Sequence, residues 1–440
     1  MANILQYLVP LILLGYLGYQ ARKSFAGVVA LFLFPAFGAN AYLRVSDLGL
    51  PIKEIDVFFL SILIMWIIVR KLRPVRSINL RISPGFILAA FVVLMFFVHL
   101  FIGIFVGLPA SIIPSFFRME AYFGLGFFLW ADVFSRFHKD EIWNLFYILS
   151  IPTVFLSILY MLSAVGFSVY PYKSYLIEYV DRQEIIRDFV TSPKFLFLAL
   201  TVILLRRKMN AKWLIALSIL VVALFFLYTR VYTIQFVCIF FLSFIWHLFR
   251  NRQKWMLAVQ YSFFLFVAVF VTVAFDLGNS TQFAYFFARF QEFFNYGINT
   301  RNLAFRMDLV SQAYTTLVSN GLILWGNGMK DYANINLGIL NTIMDSGLAF
   351  VLFNFGLIAT VFYCLQMLVA GIDSFRLMRN RNFDRSRLGA YLFITMITYI
   401  IAILNLSYVY DGVLGVIPLS LIYVESLRKT NNNLSKSLTL

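Results

Sequence analysis

Seven residues combine a chemically useful side chain with a position at the ends of, or between, the main apolar runs: Arg118, Glu120, Arg187, Arg230, Arg301, Arg306 and Asp345. A guanidinium presents a planar fork of donors that fits two oxygens of a phosphate at once. Arg118, Arg187, Arg230, Arg301 and Arg306 are therefore candidates to converge on one anionic group. Asp345 and Glu120 are the carboxylates that could take a proton as a general base beside it. Metal chemistry has little support. His99, His138 and His247 are scattered, and Cys238 and Cys364 sit inside apolar runs as small hydrophobes. No HxxxH or CxxC spacing occurs, so neither a metal nor another cofactor is expected.

Each candidate also has a plainer reading. Arg230 sits in Leu-Tyr-Thr-Arg-Val-Tyr, where Tyr228 and Tyr232 suit an interfacial anchor that snorkels. Arg182 and Arg187 alternate with Glu178, Asp181, Glu184 and Asp188 at spacings of three and four, which predicts a short ion-paired helix. Arg301 and Arg306 open a stretch in which Leu303, Met307, Val310, Ala313, Tyr314 and Leu317 recur at helical spacing. This predicts a helix running to Leu324 and broken by Trp325-Gly-Asn-Gly328; its N-terminal dipoles would favour an anion. Asp345 would otherwise cap the next helix, and Arg118 and Glu120 would be separate headgroup anchors.

The elements that must hold these residues are apolar. The chain is 62% hydrophobic, 19% aromatic and only 13% charged, against about 25% charged in soluble domains. The fold class expected is all-α and polytopic, a single membrane domain over 1–440 with about thirteen spans. The spans are 4–20, 25–42, 56–69, 85–108, 119–135, 142–167, 193–205, 213–228, 231–248, 255–275, 348–371, 390–407 and 413–425. A β-barrel is excluded because the runs are continuous rather than alternating. The first run has no basic segment before it and no small-residue cleavage site, so it is expected to stay as a membrane helix.

The charge follows the spans. Most of the 36 Lys and Arg residues fall in alternate connectors, which places those connectors in the cytoplasm, the N-terminus outside and the C-terminus inside. The net charge of +16 is thus a topology signal rather than a nucleic-acid footprint. Two long segments land outside: 168–191 and 278–345. The second begins with Phe-Ala-Tyr-Phe-Phe-Ala-Arg-Phe-Gln-Glu-Phe-Phe-Asn-Tyr296, expected to be an amphipathic helix lying on the membrane. The cytoplasmic linkers are short and hold no Walker sequence, so ATP hydrolysis is not expected. At the outer surface, the five arginines would meet either lipid headgroups or a polyprenyl diphosphate.

Three pieces in order resemble the O-antigen polymerase and ligase superfamily. They are Arg306-Met-Asp-Leu-Val-Ser-Gln-Ala, Leu-Trp-Gly-Asn-Gly328, and Met-Asp-Ser-Gly-Leu-Ala-Phe-Val-Leu-Phe-Asn-Phe-Gly356. Thr229-Arg230 resembles the family's Ser-Arg between two spans, and Arg187 with Ser192-Pro193 its arginine before a Pro-Asn span start, although Lys194 stands where Asn is usual. Ligases carry His-Asn upstream of the D/E-x-G element; Asn336-Leu337 stands here, which favours the Wzy-type polymerase branch over a ligase to a lipid core. The resemblance implies a glycosyltransferase-C-like fold in a bacterial inner membrane with its site facing the periplasm. It implies metal-independent transfer of a growing glycan from polyprenyl diphosphate to a lipid-linked repeat unit, serving lipopolysaccharide or capsule. It assigns Arg187, Arg230, Arg301, Arg306 and Arg118 to the diphosphate, Arg306, Asp345 and Glu120 to catalysis, and a chain-length regulator and a flippase as partners. A lipid-linked oligosaccharide flippase is the alternative from another class, although no internal repeat is visible.

Overall fold

An apolar segment that cannot hydrogen-bond to solvent must satisfy its backbone internally, so helices are the expected product. The computed structural model describes residues 2–37, 54–74, 84–105, 113–164, 167, 169, 177–180, 183–186, 193–206, 209–226, 230–250, 301–327, 347–405 and 415–437. Among these are thirteen α-helices: α1 (Ala2–Lys23), α2 (Phe25–Phe32), α3 (Glu54–Leu72), α4 (Pro84–Phe105), α5 (Ile113–Ser135), α6 (Lys139–Ala164), α7 (Pro193–Leu204), α8 (Ala211–Phe226), α9 (Arg230–Arg250), α10 (Arg301–Ser319), α11 (Gly347–Met378), α12 (Phe383–Asn405) and α13 (Ile417–Ser437). Four of the described helices, α1, α6, α11 and α12, are long and apolar enough to cross a membrane, and six others hold shorter apolar stretches. Large apolar side chains such as Leu11, Phe105 and Phe249 lie exposed on the outside of this architecture, as on a surface that meets lipid. The architecture is that of a helical membrane protein.

Most helix bounds fall within a few residues of the expected spans, but several expectations change. Segment 25–42 does not run on as one helix: α2 stops at Phe32 and a 3₁₀ turn, Phe34–Ala36, follows with Pro35 inside it. Glu178 and Glu184, expected in a short ion-paired helix, lie in strands instead, while Asp181, Arg182, Arg187 and Asp188 lie outside the described residues. Ile177–Val180 and Gln183–Ile186 form an antiparallel two-stranded hairpin that pairs Ile177 with Ile186 and Val180 with Gln183. Its strands are rich in β-branched and aromatic residues, and that preference outweighs the ion-pair spacing. α11, expected as one continuous span, is broken at Gly356. Segment 255–275 and the aromatic stretch 283–296 lie outside the described residues.

The chain divides into two compact units, Met1–Arg73 with Phe137–Asn295, and Pro74–Arg136 with Tyr296–Leu440. In the first, α6 packs on α2, α7 and α8. Residues 195–205 are all buried, so α7 is apolar on every side and serves as the unit's central rod. Gly27 lets the start of α2 lie against the end of α1: a Cβ there would meet the backbone of Gln20 and Ala21. Ser24 caps α2 by accepting from the Gly27 N–H at 3.0 Å. The basic ends gather at one place. Arg73, after α3, forks onto Glu141 of α6 at 2.6 and 2.7 Å and lies over the Phe25 ring at 3.9 Å. Arg206, after α7, stacks on Tyr147 of α6 and Trp213 of α8.

The second unit is built on α11, which packs on α4, α10, α12 and α13. The turn between α11 and α12 is tight: the Ser386 hydroxyl donates to the Met378 carbonyl, and a Cβ at Gly389 would strike the Met378 backbone. Arg428 of α13 reaches across to the end of α5, donating to the Phe134 carbonyl at 3.1 Å and the Ser135 carbonyl at 3.4 Å.

Candidate functional site

The most unusual backbone in the second unit lies where the sequence motifs meet. Helix α10 ends five residues earlier than its periodicity suggests. Gly321, at φ +68°, closes it: the Gly321 N–H donates to Val318 O at 3.1 Å and the Leu322 N–H to Leu317 O at 2.8 Å. This is the paired 5→2 and 6→1 closure of a left-handed glycine cap. Leu322 and Ile323 then fold back on the apolar face of α10, where Leu309, Ala313 and Leu317 pack with Ala349, Leu352 and Phe353 of α11.

The chain next turns again at Gly326, φ +74°, with the Trp325 and Gly326 N–H groups both donating to Leu322 O. This turn is seated in a break of α11. Gly356 has φ +75° and ψ −178°, a region open essentially to glycine, so α11 is two helices, one on each side of Gly356. The groups freed by the break are taken up by the turn. Asn327 N–H donates to Phe353 O at 2.9 Å, Leu357 N–H to Ile323 O at 2.8 Å and Ile358 N–H to Leu324 O at 3.4 Å. Irregular backbone at membrane depth survives only where protein satisfies it in this way. The two glycines face each other: a Cβ on Gly326 would come 2.6 Å from Asn354 O, and one on Gly356 2.5 Å from Leu324 O.

Polar side chains gather at the break. Asn354 is buried and its amide donates to Phe350 O at 2.9 Å; Thr360 donates to Gly356 O at 2.7 Å. His99, fully buried on α4, hydrogen-bonds the Trp325 carbonyl, while the indole of Trp325 is half exposed.

The expected site residues distribute as follows. Arg301 opens α10 and Arg306 follows in its second turn. Arg118 and Glu120 lie within the first turns of α5, which begins earlier than expected, at Ile113. These four belong to the second unit, whereas Arg230, the first residue of α9, belongs to the first. Arg187, Asp345 and Gly328 lie outside the described residues. Sequence reasoning missed His99 and the break at Gly356. The available signals were a lone histidine inside an apolar run and an Asn-Phe-Gly interruption in another. Among the described residues no three His, Cys, Asp or Glu side chains come together as a metal-binding group.

This arrangement defines a class: a helical membrane protein with a broken helix whose gap is filled by a glycine turn. No protein-family model matches the chain, and no curated protein matches it significantly.

Proposed function

We propose that the protein is a polymerase of a bacterial surface polysaccharide, transferring a growing glycan from polyprenyl diphosphate to a lipid-linked repeat unit at the outer leaflet. The observation that carries this reading is the packing around Gly326 and Gly356. The arginine-opened helix, the G-x-G element and the helix preceded by Asp345-Ser are the three pieces of the superfamily resemblance. In the fold they are one interlocked assembly, with α10, the turn at Gly326 and the broken α11 sharing a core and backbone hydrogen bonds.

In this reading a hydroxyl oxygen of the acceptor sugar attacks the anomeric carbon of the donor. The bond from that carbon to the diphosphate oxygen breaks, and polyprenyl diphosphate leaves with the electron pair. Arg301 and Arg306, with Arg118, hold the leaving diphosphate, whose negative charge grows as the bond breaks. Fixed guanidinium groups stabilise that state more than the ground state, which is what accelerates a reaction. Asp345 or Glu120 receives the hydroxyl proton. In this reading the N-terminus lies outside, the C-terminus in the cytoplasm and the site on the periplasmic face of the inner membrane.

The test is direct. Purified protein is mixed with a polyprenyl-diphosphate-linked repeat unit and the products are resolved by size; a ladder is expected. A second reading, a flippase for the same lipid-linked oligosaccharide, draws support from the broken helix, a feature of substrate sites in transporters. Movement of the lipid across vesicles with no ladder under any condition would sink the first reading and favour the second.

A further inference from the structure

The second half of α11 carries two polar side chains on one face, Gln366 and Asp373, two turns apart. At 1.5 Å per residue they lie about 15 and 25 Å along the helix from the break at Gly356. Both line a small cavity of about 20 Å³ in the second unit, bounded by α4, α5, α11 and α13. The rings of Phe127 and Tyr423, with centroids 6.0 Å apart, and the start of α4 at Gly85 stand on its other sides.

The polar groups at this cavity are rich in acceptors. Gln366 is only 3% exposed, and its side-chain carbonyl oxygen meets no donor among the described residues. A buried carbonyl oxygen in that state is costly. Asp373 is the one charged residue on the cavity wall. Its Oδ2 accepts from the Ser426 hydroxyl of α13 at 3.3 Å. The Ser426 oxygen keeps lone pairs after giving that proton. Arg376 Nη1 lies 3.6 Å from Asp373 Oδ1, but its side chain is 67% exposed, so it offsets little of the charge. A carboxylate within a helix long and apolar enough to cross a membrane marks a functional site by default.

Size and charge then select the guest. The cavity has room for about one water-sized particle. One carboxylate balances one positive charge. Mg²⁺ holds on to its own waters and Ca²⁺ takes six to eight oxygens, so neither fits this space. A neutral water fits, but it brings no charge to Asp373. We propose that the cavity binds a single small monovalent cation of the sodium type, held by the Asp373 carboxylate, the Ser426 hydroxyl oxygen and the Gln366 amide oxygen. The ion joins α11 to α13 at a site separate from the turn at Gly326.

Thermal unfolding of the full-length protein in detergent tests this, with NaCl or KCl replacing N-methylglucamine chloride at constant ionic strength. The unfolding temperature is expected to rise with the logarithm of the metal-ion concentration above half-saturation, as for a ligand of the folded state alone. A response to either ion supports the site. Equal unfolding in all three salts means that water alone occupies the cavity and overturns the proposal, as does a response to MgCl₂ alone. Gln366→Met, close in volume, should raise the half-saturating concentration at least about 10-fold, the loss of one contact to a charge. Asp373→Asn should abolish the response. Ser426→Ala is the mildest change; it should raise the half-saturating concentration about 3- to 10-fold and serves if the other variants do not fold. An unchanged response in folded Gln366→Met or Ser426→Ala protein places the ion elsewhere and overturns the assignment. No readout uses a glycan, so a protein that makes no ladder counts against the polymerase reading alone.

Discussion

The backbone of Gly326 lies directly against the backbone of Gly356, thirty residues further on, and neither position has room for a Cβ. Both residues also have positive φ. The atoms in the way are backbone atoms of the opposing segment, so a neighbour cannot simply swing aside. Gly356→Ala is expected to cost about 2–3 kcal/mol from conformation alone, with a further penalty from the clash. Gly326→Ala should behave similarly. Thermal unfolding of the detergent-purified protein checks both. By contrast Gly371→Ala, with open space around it on α11, should change stability by well under 1 kcal/mol. Equal effects at the three positions would refute the interlock.

Arg306 stands in the second turn of α10, the helix that the glycine turn anchors. If it holds the leaving diphosphate, Arg306→Ala should lower polymer formation by at least about 100-fold. Helix content and membrane insertion should be unchanged. Arg306→Lys keeps the charge but loses the fork, and should recover only a small part of the rate. A fully active alanine variant would show that the diphosphate is held elsewhere.

At the basic end of the first unit, Arg73 and Glu141 make a two-point pair while the guanidinium also covers Phe25. Both side chains are mostly shielded, at 29% and 20% exposure. A pair of this geometry should show a coupling of about 1–2 kcal/mol in a double-mutant cycle of Arg73→Met and Glu141→Gln. Arg73→Met alone should cost more than that coupling, because the stacking on Phe25 is lost as well. Raised salt should weaken the coupling only partly, since the pair is not open to solvent.

The sequence and the fold agree best where the signal is local. Long apolar runs end at charged or proline-bearing connectors, so the bounds of α1, α3, α6 and α8 were readable to within a few residues. Periodicity misled at the end of α10, where Leu322, Ile323 and Leu324 prolong the apolar pattern although Gly321 has already closed the helix. It misled again in α11, where an apolar run hides a glycine conformation that no spacing reveals. The motif pieces of the candidate site were visible as words in order. What was not visible is the contact between Gly326 and Gly356, or the reach of His99 to the turn, because each joins residues far apart in sequence.

Glu425 and Arg428 give the last prediction its asymmetry. Glu425 is buried on α13 and receives the Arg428 guanidinium at 2.5 Å. The same guanidinium donates to the Phe134 and Ser135 carbonyls, the last in α5, so it serves both a carboxylate and a helix end. Removing the arginine leaves a buried carboxylate and open carbonyls behind. Arg428→Met is therefore expected to cost about 3–5 kcal/mol, the penalty for an uncompensated buried charge. Glu425→Gln leaves the helix end capped and keeps an acceptor near Arg428, so its cost should be about 1–2 kcal/mol. The double variant should be more stable than Arg428→Met alone, because the stranded charge is gone. Thermal unfolding of the three variants decides the point: if Arg428→Met proves no worse than Glu425→Gln, the guanidinium is not what ties α13 to the end of α5.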